Sequence, residues 1–324
     1  MILTFLFILN FAHATEECWT QASQLTQVGH DVPYQKGTSS QKLDVYIPSN
    51  ASPPFKTVLS LHGGCFQWGS KSSPEDMAQI QRFTNAGYAV VSVDYRLADP
   101  KNPDPRQRNL FPASLEDAQD AARWLRTSGS KYHLETDRFV VFGYSAGATL
   151  AAYLGTRPLS GSSYRADDRT AGDNVMSEKV AGVIDFFGRT DFAHGRSIER
   201  RAEDGRDCSE VYLGERRTAV SDPDFEKASV LNSVDSSATR FLIVHGTKDT
   251  NVSIEHSELL YNKLRQTCPL KDDERDRKFH LVKIEGADHM FLKKDEMNRA
   301  WSNVCTFLSD VLGPPHLLKA AESL

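Results

Sequence analysis

From about residue 43 onward, apolar runs rich in β-branched residues alternate with amphipathic stretches. The runs predict strands over 43–47, 57–61, 89–95, 139–142, 180–186, 241–245 and 279–284. Between them, apolar residues at helical spacing predict helices near 75–86, 114–128, 146–155, 253–266 and 295–311. A strand that reads as a continuous apolar run is buried on both faces. The pattern therefore calls for a doubly wound, mostly parallel α/β sheet with helices on both sides.

Local punctuation supports this reading. Ser73-Pro74-Glu75-Asp76 offers a capping serine, a first-turn proline and an acid at the third position, and Ser114-Leu115-Glu116-Asp117 reads as a capping box. Two segments interrupt the alternation. Residues 157–179 are polar and rich in Ser, Asp and Gly, as a surface insertion would be. Residues 189–237 are long, charged and contain Cys208, and they fall between two strands where a substrate-covering cap can be built. No internal repeat is visible, and residues 15–324 are expected to form a single domain.

Residues 2–11 are apolar and lead into Ala12-His13-Ala14 and the polar Thr15-Glu16-Glu17. This reads as a secretory signal peptide, 1–14, cut after Ala14, and the protein is expected to be extracellular. A run of about ten apolar residues is too short to cross a bilayer as a helix, so no membrane partner is expected.

The composition is that of an ordinary globular chain. Its 324 residues are 40% hydrophobic and 25% charged, with a net charge of -5. Mild acidity without a basic stripe excludes a nucleic-acid partner. Five cysteines are present: Cys18, Cys65, Cys208, Cys268 and Cys305. In an oxidising compartment four can form two bridges. Cys65 is expected to be the free one, because a bridge would restrain the loop that carries it. The pairing among the others is left open, as is the oligomeric state. No set of residues has metal-ligand spacing, and no metal or cofactor is expected.

The candidate chemistry centres on Gly143-Tyr144-Ser145-Ala146-Gly147, which lies between the apolar run 138–142 and the alanine-rich stretch 148–155. A strand, a tight turn and a helix with serine at the apex lift a hydroxyl out of the sheet, and the flanking glycines avoid collisions with the neighbouring strand and helix. A serine hydroxyl needs a base, and the base needs an acid that fixes its tautomer. In a doubly wound sheet these groups belong at the carboxyl ends of strands. The strand over 241–245 runs into Gly246-Thr247-Lys248-Asp249, and the strand over 279–284 runs into Gly286-Ala287-Asp288-His289. Asp249 and His289 are thus the candidate acid and base. Asp288 and Asp185 are the rival acids.

Leu61-His62-Gly63-Gly64-Cys65 follows the strand over 57–61 and is similar to the His-Gly-Gly-Gly loop of esterases. The candidate oxyanion donors are the N–H of Ala146 with those of Gly64 and Cys65, or of Gly63 and Gly64. His62 is expected to fix that loop rather than act as a second base, and His245, His194 and His280 are expected to be structural or exposed. Phe66, Trp68, Phe187 and Phe291 lie near strand ends, where they either line an acyl pocket or belong to the core.

Taken together, these residues resemble the secreted α/β-hydrolase carboxylesterases related to hormone-sensitive lipase, and most closely the bifunctional feruloyl and acetyl xylan esterases. The resemblance extends over roughly 40–312. It rests also on Asp94-Tyr95-Arg96-Leu97, Phe111-Pro112-Ala113 with Glu116-Asp117-Ala118, Asp185-Phe186-Phe187-Gly188, Phe225-Glu226-Lys227-Ala228-Ser229 and His245-Gly246-Thr247-Lys248-Asp249. The sequence departs from that pattern at Cys65 and Ala148, where glycine is usual, and in the insertion at 157–179. The resemblance implies a cofactor-free serine hydrolase acting on small-molecule or polysaccharide-linked esters, with Ser145, Asp249 and His289 in that chain order. An amidase or exopeptidase with the same three residues, and a non-catalytic binding module on the same fold, are the alternatives.

Overall fold

In the computed structural model the described residues are 23–35, 37, 40–156, 180–192, 207–214 and 223–318. The expected signal peptide at 1–14, the insertion at 157–179, and Cys18 and His194 lie outside them.

Eight strands form one sheet: β1 (Leu25–Pro33), β2 (Lys42–Pro48), β3 (Phe55–Leu61), β4 (Ala89–Val93), β5 (Leu134–Tyr144), β6 (Gly182–Phe186), β7 (Arg240–Gly246) and β8 (Phe279–Ile284). Their spatial order is β1-β2-β4-β3-β5-β6-β7-β8. β2 runs antiparallel to both of its neighbours, and all pairs from β4 to β8 are parallel. Among the described residues the helices are α1 (Pro74–Asn85), α2 (Ala113–Ser128), α3 (Ala146–Thr156), α4 (Cys208–Leu213), α5 (Pro223–Ala228), α6 (Glu255–Thr267), α7 (Asp272–Lys278) and α8 (Lys294–Leu312). None is long and apolar enough to cross a membrane.

The apolar strand runs are explained by burial on two faces. Alternate residues of each central strand enter separate cores. Leu59, Val91, Val141, Val183 and Ile243 pack with the apolar residues of α2, α3 and α6. Val58, Val90, Val140, Ile184 and Val244 pack with Ile80 and Phe83 of α1 and with Trp301, Val304 and Phe307 of α8. Each such side chain contributes about 1.5–3 kcal/mol when fully withdrawn from water, which ties both helix layers to the sheet. The expected doubly wound α/β architecture is the one found.

One local expectation, the cap at Ser114, is corrected, and two elements not expected from the sequence are present. The strand β1 has no apolar run, because it is an edge strand whose residues are mostly half-buried or exposed. Helix α2 begins at Ala113 after Pro112, without a side-chain cap, and Ser114 is buried instead of capping. The polar helix α7 buries no residue, so no apolar periodicity announces it. By contrast, Ser73 caps α1, accepting from the Asp76 N–H.

The chain passes from β3 to β4 on one side and then to β5 on the other, so β3 lies between β4 and β5. The order reverses there, and in doubly wound sheets the carboxyl ends of the strands at such a point are where ligands bind. The loop after β3 and the turn after β5 are where Gly63, Gly64, Cys65 and Ser145 stand.

Candidate active site

Ser145 sits between β5 and α3 with φ 53°, a left-handed conformation that a non-glycine residue adopts only when its surroundings hold it there. The hold is visible in its hydrogen bonds. Its N–H donates to the Phe186 carbonyl (2.9 Å), and its own carbonyl accepts from Ala148 and Thr149 (3.1 and 3.2 Å). Space explains the second glycine of the turn: a Cβ on Gly147 would lie 2.0 Å from the Leu61 carbonyl oxygen.

Asp249 and His289 arrive from the ends of β7 and β8, and the structure brings them together. Asp249 Oδ2 lies 2.6 Å from His289 Nδ1. Asp249 Oδ1 accepts the N–H groups of Asn251 and Val252 at 2.8 and 2.9 Å. Burial pushes this carboxyl up, but hydrogen bonds from His245 and His289 outweigh it and hold Asp249 well below the usual carboxylate range. With Nδ1 bound to the acid, His289 Nε2 is the nitrogen left to face another group. The His289 ring packs 4.4 Å from that of Phe187. The neighbouring Phe186 carbonyl receives Ser145, so one dipeptide at the end of β6 supports both residues.

The rival acids are otherwise engaged. Asp288 Oδ1 accepts from the N–H groups of Thr250 and His289 at 3.1 and 2.8 Å. Asp185, in β6, is wholly buried, accepts the Gly188 N–H at 2.8 Å, and is pushed up to about 6 by that burial.

The loop after β3 is braced from several sides. His62 donates from Nδ1 to the Gly63 carbonyl (2.7 Å), its ring stacks on Tyr95 at 4.1 Å, and the Tyr95 hydroxyl donates to the His62 carbonyl (2.7 Å). His62 is thus a loop-fixing group, and burial lowers its proton affinity. Arg96, next to Tyr95, forks onto Asp117 of α2 with bonds of 2.7–3.0 Å and also reaches Glu116. Gly64 has φ 115°, and a Cβ there would lie 2.0 Å from the Trp68 carbonyl oxygen. No described residue accepts the N–H groups of Gly63, Gly64, Cys65 or Ala146. The Ala146 N–H is also at the positive end of the α3 dipole.

Cys65 is not free. It is disulfide-bonded to Cys208 at the start of α4, with Cα atoms 5.0 Å apart. The restraint that argued against a bridge is what this loop requires, because Cys65 and Phe66 both carry positive φ (54° and 59°). Around the bridge, Phe66 stacks on Tyr212 of α4 at 3.9 Å, and Phe192 lies 5.5 Å from the same ring. Helix α4 and Phe192, from the segment 189–237, are therefore anchored on this loop. Among the described residues Cys268 is free and buried, and Cys305 is disulfide-bonded.

Of the four aromatic residues near strand ends, Phe66, Phe187 and Phe291 are buried and Trp68 is 42% exposed. His280 is half-buried. His245, expected to be structural or exposed, is completely buried, with its Nε2 3.1 Å from Asp249 Oδ2. Its position four residues before Asp249, at the end of the same strand, was the available signal. Among the described residues, His30, Asp31 and Asp44 are close enough to share a cation. The Lys71 ammonium already stands 2.9 Å from Asp31 and 3.5 Å from Asp44, supplying the positive charge there.

Known proteins resemble this chain in sequence and in fold. Esterase LipC of Mycobacterium tuberculosis is 27% identical over 231 residues, which cover 70% of this chain and 52% of that protein. The chain spans about half the length of the curated relatives it matches. Among solved structures, a truncated carbohydrate esterase from gut microbiota superposes with a TM-score of 0.66 at 22% identity, covering 90% of this chain and 96% of that one. An acetyl ester-xyloside bifunctional hydrolase from Caldicellulosiruptor lactoaceticus superposes with a TM-score of 0.64 at 20% identity, covering 89% and 96%. The fold is thus the α/β-hydrolase fold. The BD-FAE family model matches residues 43–264, well over half of the sequence, and the chain belongs to the BD-FAE family.

Proposed function

We propose that this protein is a secreted serine hydrolase of carboxylic esters, acting through Ser145, His289 and Asp249 on short-acyl or feruloyl and acetyl esters. The observation that carries the reading is the 2.6 Å contact between Asp249 Oδ2 and His289 Nδ1, with Ser145 held at φ 53° and tied through its N–H to Phe186, next to the Phe187 ring that packs on His289. Family membership and the names of its relatives support the same reaction class.

His289 Nε2 takes the proton from Ser145 Oγ as the oxygen attacks the ester carbonyl. The negative charge that develops on the carbonyl oxygen meets the N–H groups of Ala146 and of Gly64 and Cys65, or Gly63 and Gly64. Asp249 holds the Nδ1 proton and stabilises the imidazolium. That imidazolium then protonates the leaving alkoxide, the alcohol departs, and the acyl group remains on Ser145. Water, deprotonated by His289, attacks the acyl-enzyme, and the acid leaves as Oγ recovers its proton.

The test is initial rates on p-nitrophenyl acetate, butyrate and octanoate, with Ser145→Ala alongside. Rates that fall with acyl length and vanish in the variant are expected, with acetylated and feruloylated xylan as the next substrates. A Ser145→Ala protein that keeps its turnover would refute the reading.

A further inference from the structure

The Asp249 carboxylate is held by two imidazoles. Besides the His289 contact, His245 Nε2 lies 3.1 Å from Asp249 Oδ2 and 2.9 Å from the Val252 carbonyl oxygen. Both of these are hydrogen-bond acceptors, so Nε2 carries the hydrogen. The other ring nitrogen, Nδ1, is 2.6 Å from Ser257 Oγ of α6. His245 and Ser257 are completely buried, as is the Asp249 side chain, so water cannot replace a lost partner there.

Three hydrogen bonds and the 3.1 Å contact of the His245 ring therefore converge on one carboxylate, and they do different things. The two to Oδ1 come from Asn251 and Val252, within the turn that carries Asp249 itself. They move with that turn. His289 comes from a separate loop and is the group to be oriented. Among the described residues, His245 is the side chain that links the carboxylate itself to a strand, β7, and through Ser257 to α6. Without it, Oδ2 has one partner and the carboxylate loses its reference to the core.

We propose that His245, itself fixed by Ser257, is a positioning residue: it locks Asp249 Oδ2 so that the His289 ring presents Nε2 to Ser145. This inference rests on the proposed function. The rival role is that of a packed histidine that matters only for folding.

The test uses the full chain carrying His245→Ala, His245→Gln or Ser257→Ala, with Ser145→Ala as the blank. Glutamine carries a donor nitrogen the same number of bonds from Cα as imidazole Nε2, so it restores the contact to Oδ2. The expected result is a fall in kcat of about 10²-fold for His245→Ala on p-nitrophenyl acetate, as for a misplaced catalytic group, with KM changed little. His245→Gln recovers most of that loss, and Ser257→Ala loses less than His245→Ala. The far-downfield proton of the Asp249–His289 hydrogen bond, followed by NMR, shifts or broadens in His245→Ala while the fold persists.

An unchanged kcat in His245→Ala, or His245→Gln no better than His245→Ala, would overturn the proposal, as would an unmoved downfield proton. If the wild-type protein cleaves no ester, or Ser145→Ala is fully active, the proposed function fails instead. The downfield proton then decides the role of His245 alone.

Discussion

The ring of Phe187 lies 4.4 Å from the imidazole of His289, and the same ring lies 5.1 Å from that of Phe291. Phe187 itself has φ 49° and is almost completely buried. A strained residue at the end of β6 thus forms the wall against which the proposed base rests. Phe187→Ala is expected to cost about 3–5 kcal/mol of stability, as for a large aromatic truncated in a core. It should also lower kcat more than Phe187→Leu, which keeps an apolar wall. Urea melts and kcat for the two variants, compared per folded molecule, check both effects. Equal kcat in the two variants would remove the wall from the mechanism.

The bridge between Cys65 and Cys208 makes the proposed oxyanion loop dependent on α4. It closes a loop of 143 residues, for which chain entropy alone gives about 5 kcal/mol of stabilisation. Mild reductant, or Cys208→Ala, is expected to lower the Tm and to reduce kcat by up to the 10²–10³-fold typical of a lost oxyanion donor. Melting curves and rates with and without reductant test this. A reduced protein with full activity would show that the aromatic contacts of Phe66 with Tyr212 suffice.

Tyr95 supports the same loop from below, through its stack on His62 and its hydroxyl on the His62 carbonyl. Tyr95→Phe keeps the stack and removes the hydroxyl, leaving a buried carbonyl unpaired at a cost of about 1–3 kcal/mol. A lower Tm with kcat reduced less than tenfold is expected. A stability equal to wild type would mean that another donor reaches the His62 carbonyl.

Two buried carboxyls set a pH dependence of stability. Burial pushes Asp76 and Asp185 up from 3.8 to about 6, and each favours its protonated form in the folded protein. Folded protein therefore binds more protons than unfolded protein between these values. The stabilisation is complete below about 4 and is lost as pH rises through about 6, at about 3 kcal/mol for each group. Asp249 has the opposite sign: its lowered affinity for protons stabilises the fold above about 4 and fails in stronger acid. Denaturant melts between pH 4 and pH 8 should show stability falling with pH, and Asp76→Asn with Asp185→Asn should flatten the slope. A wild-type slope that matches the double variant would contradict the assignment.

The central strands were legible because burial on two faces demands continuous apolar runs, as Val58 and Leu59 show by entering different cores. The edge strand β1 was not, since neither of its faces needs such a run. Ser114 has the composition of a cap, yet tertiary packing draws it into the interior and the helix starts one residue earlier. The approach of Asp249 to His289 was foreshadowed by two strand ends carrying an acid and a histidine in chain order. The contact of His245 with Asp249 is not legible in the sequence, because a histidine inside an apolar run looks like core and its proposed role depends on a neighbour across the turn and on Ser257 of another helix.

The sequence by itself determined the periodicities, and with them the layered sheet, the serine turn and the order of candidate groups, because these follow from local sterics and from which faces avoid water. Only the tertiary structure decided which cysteine pairs with Cys65 and which histidines share Asp249. It also decided that one dipeptide, Phe186 and Phe187, serves both Ser145 and His289. Those are distances between residues far apart in the chain, and no local propensity encodes them.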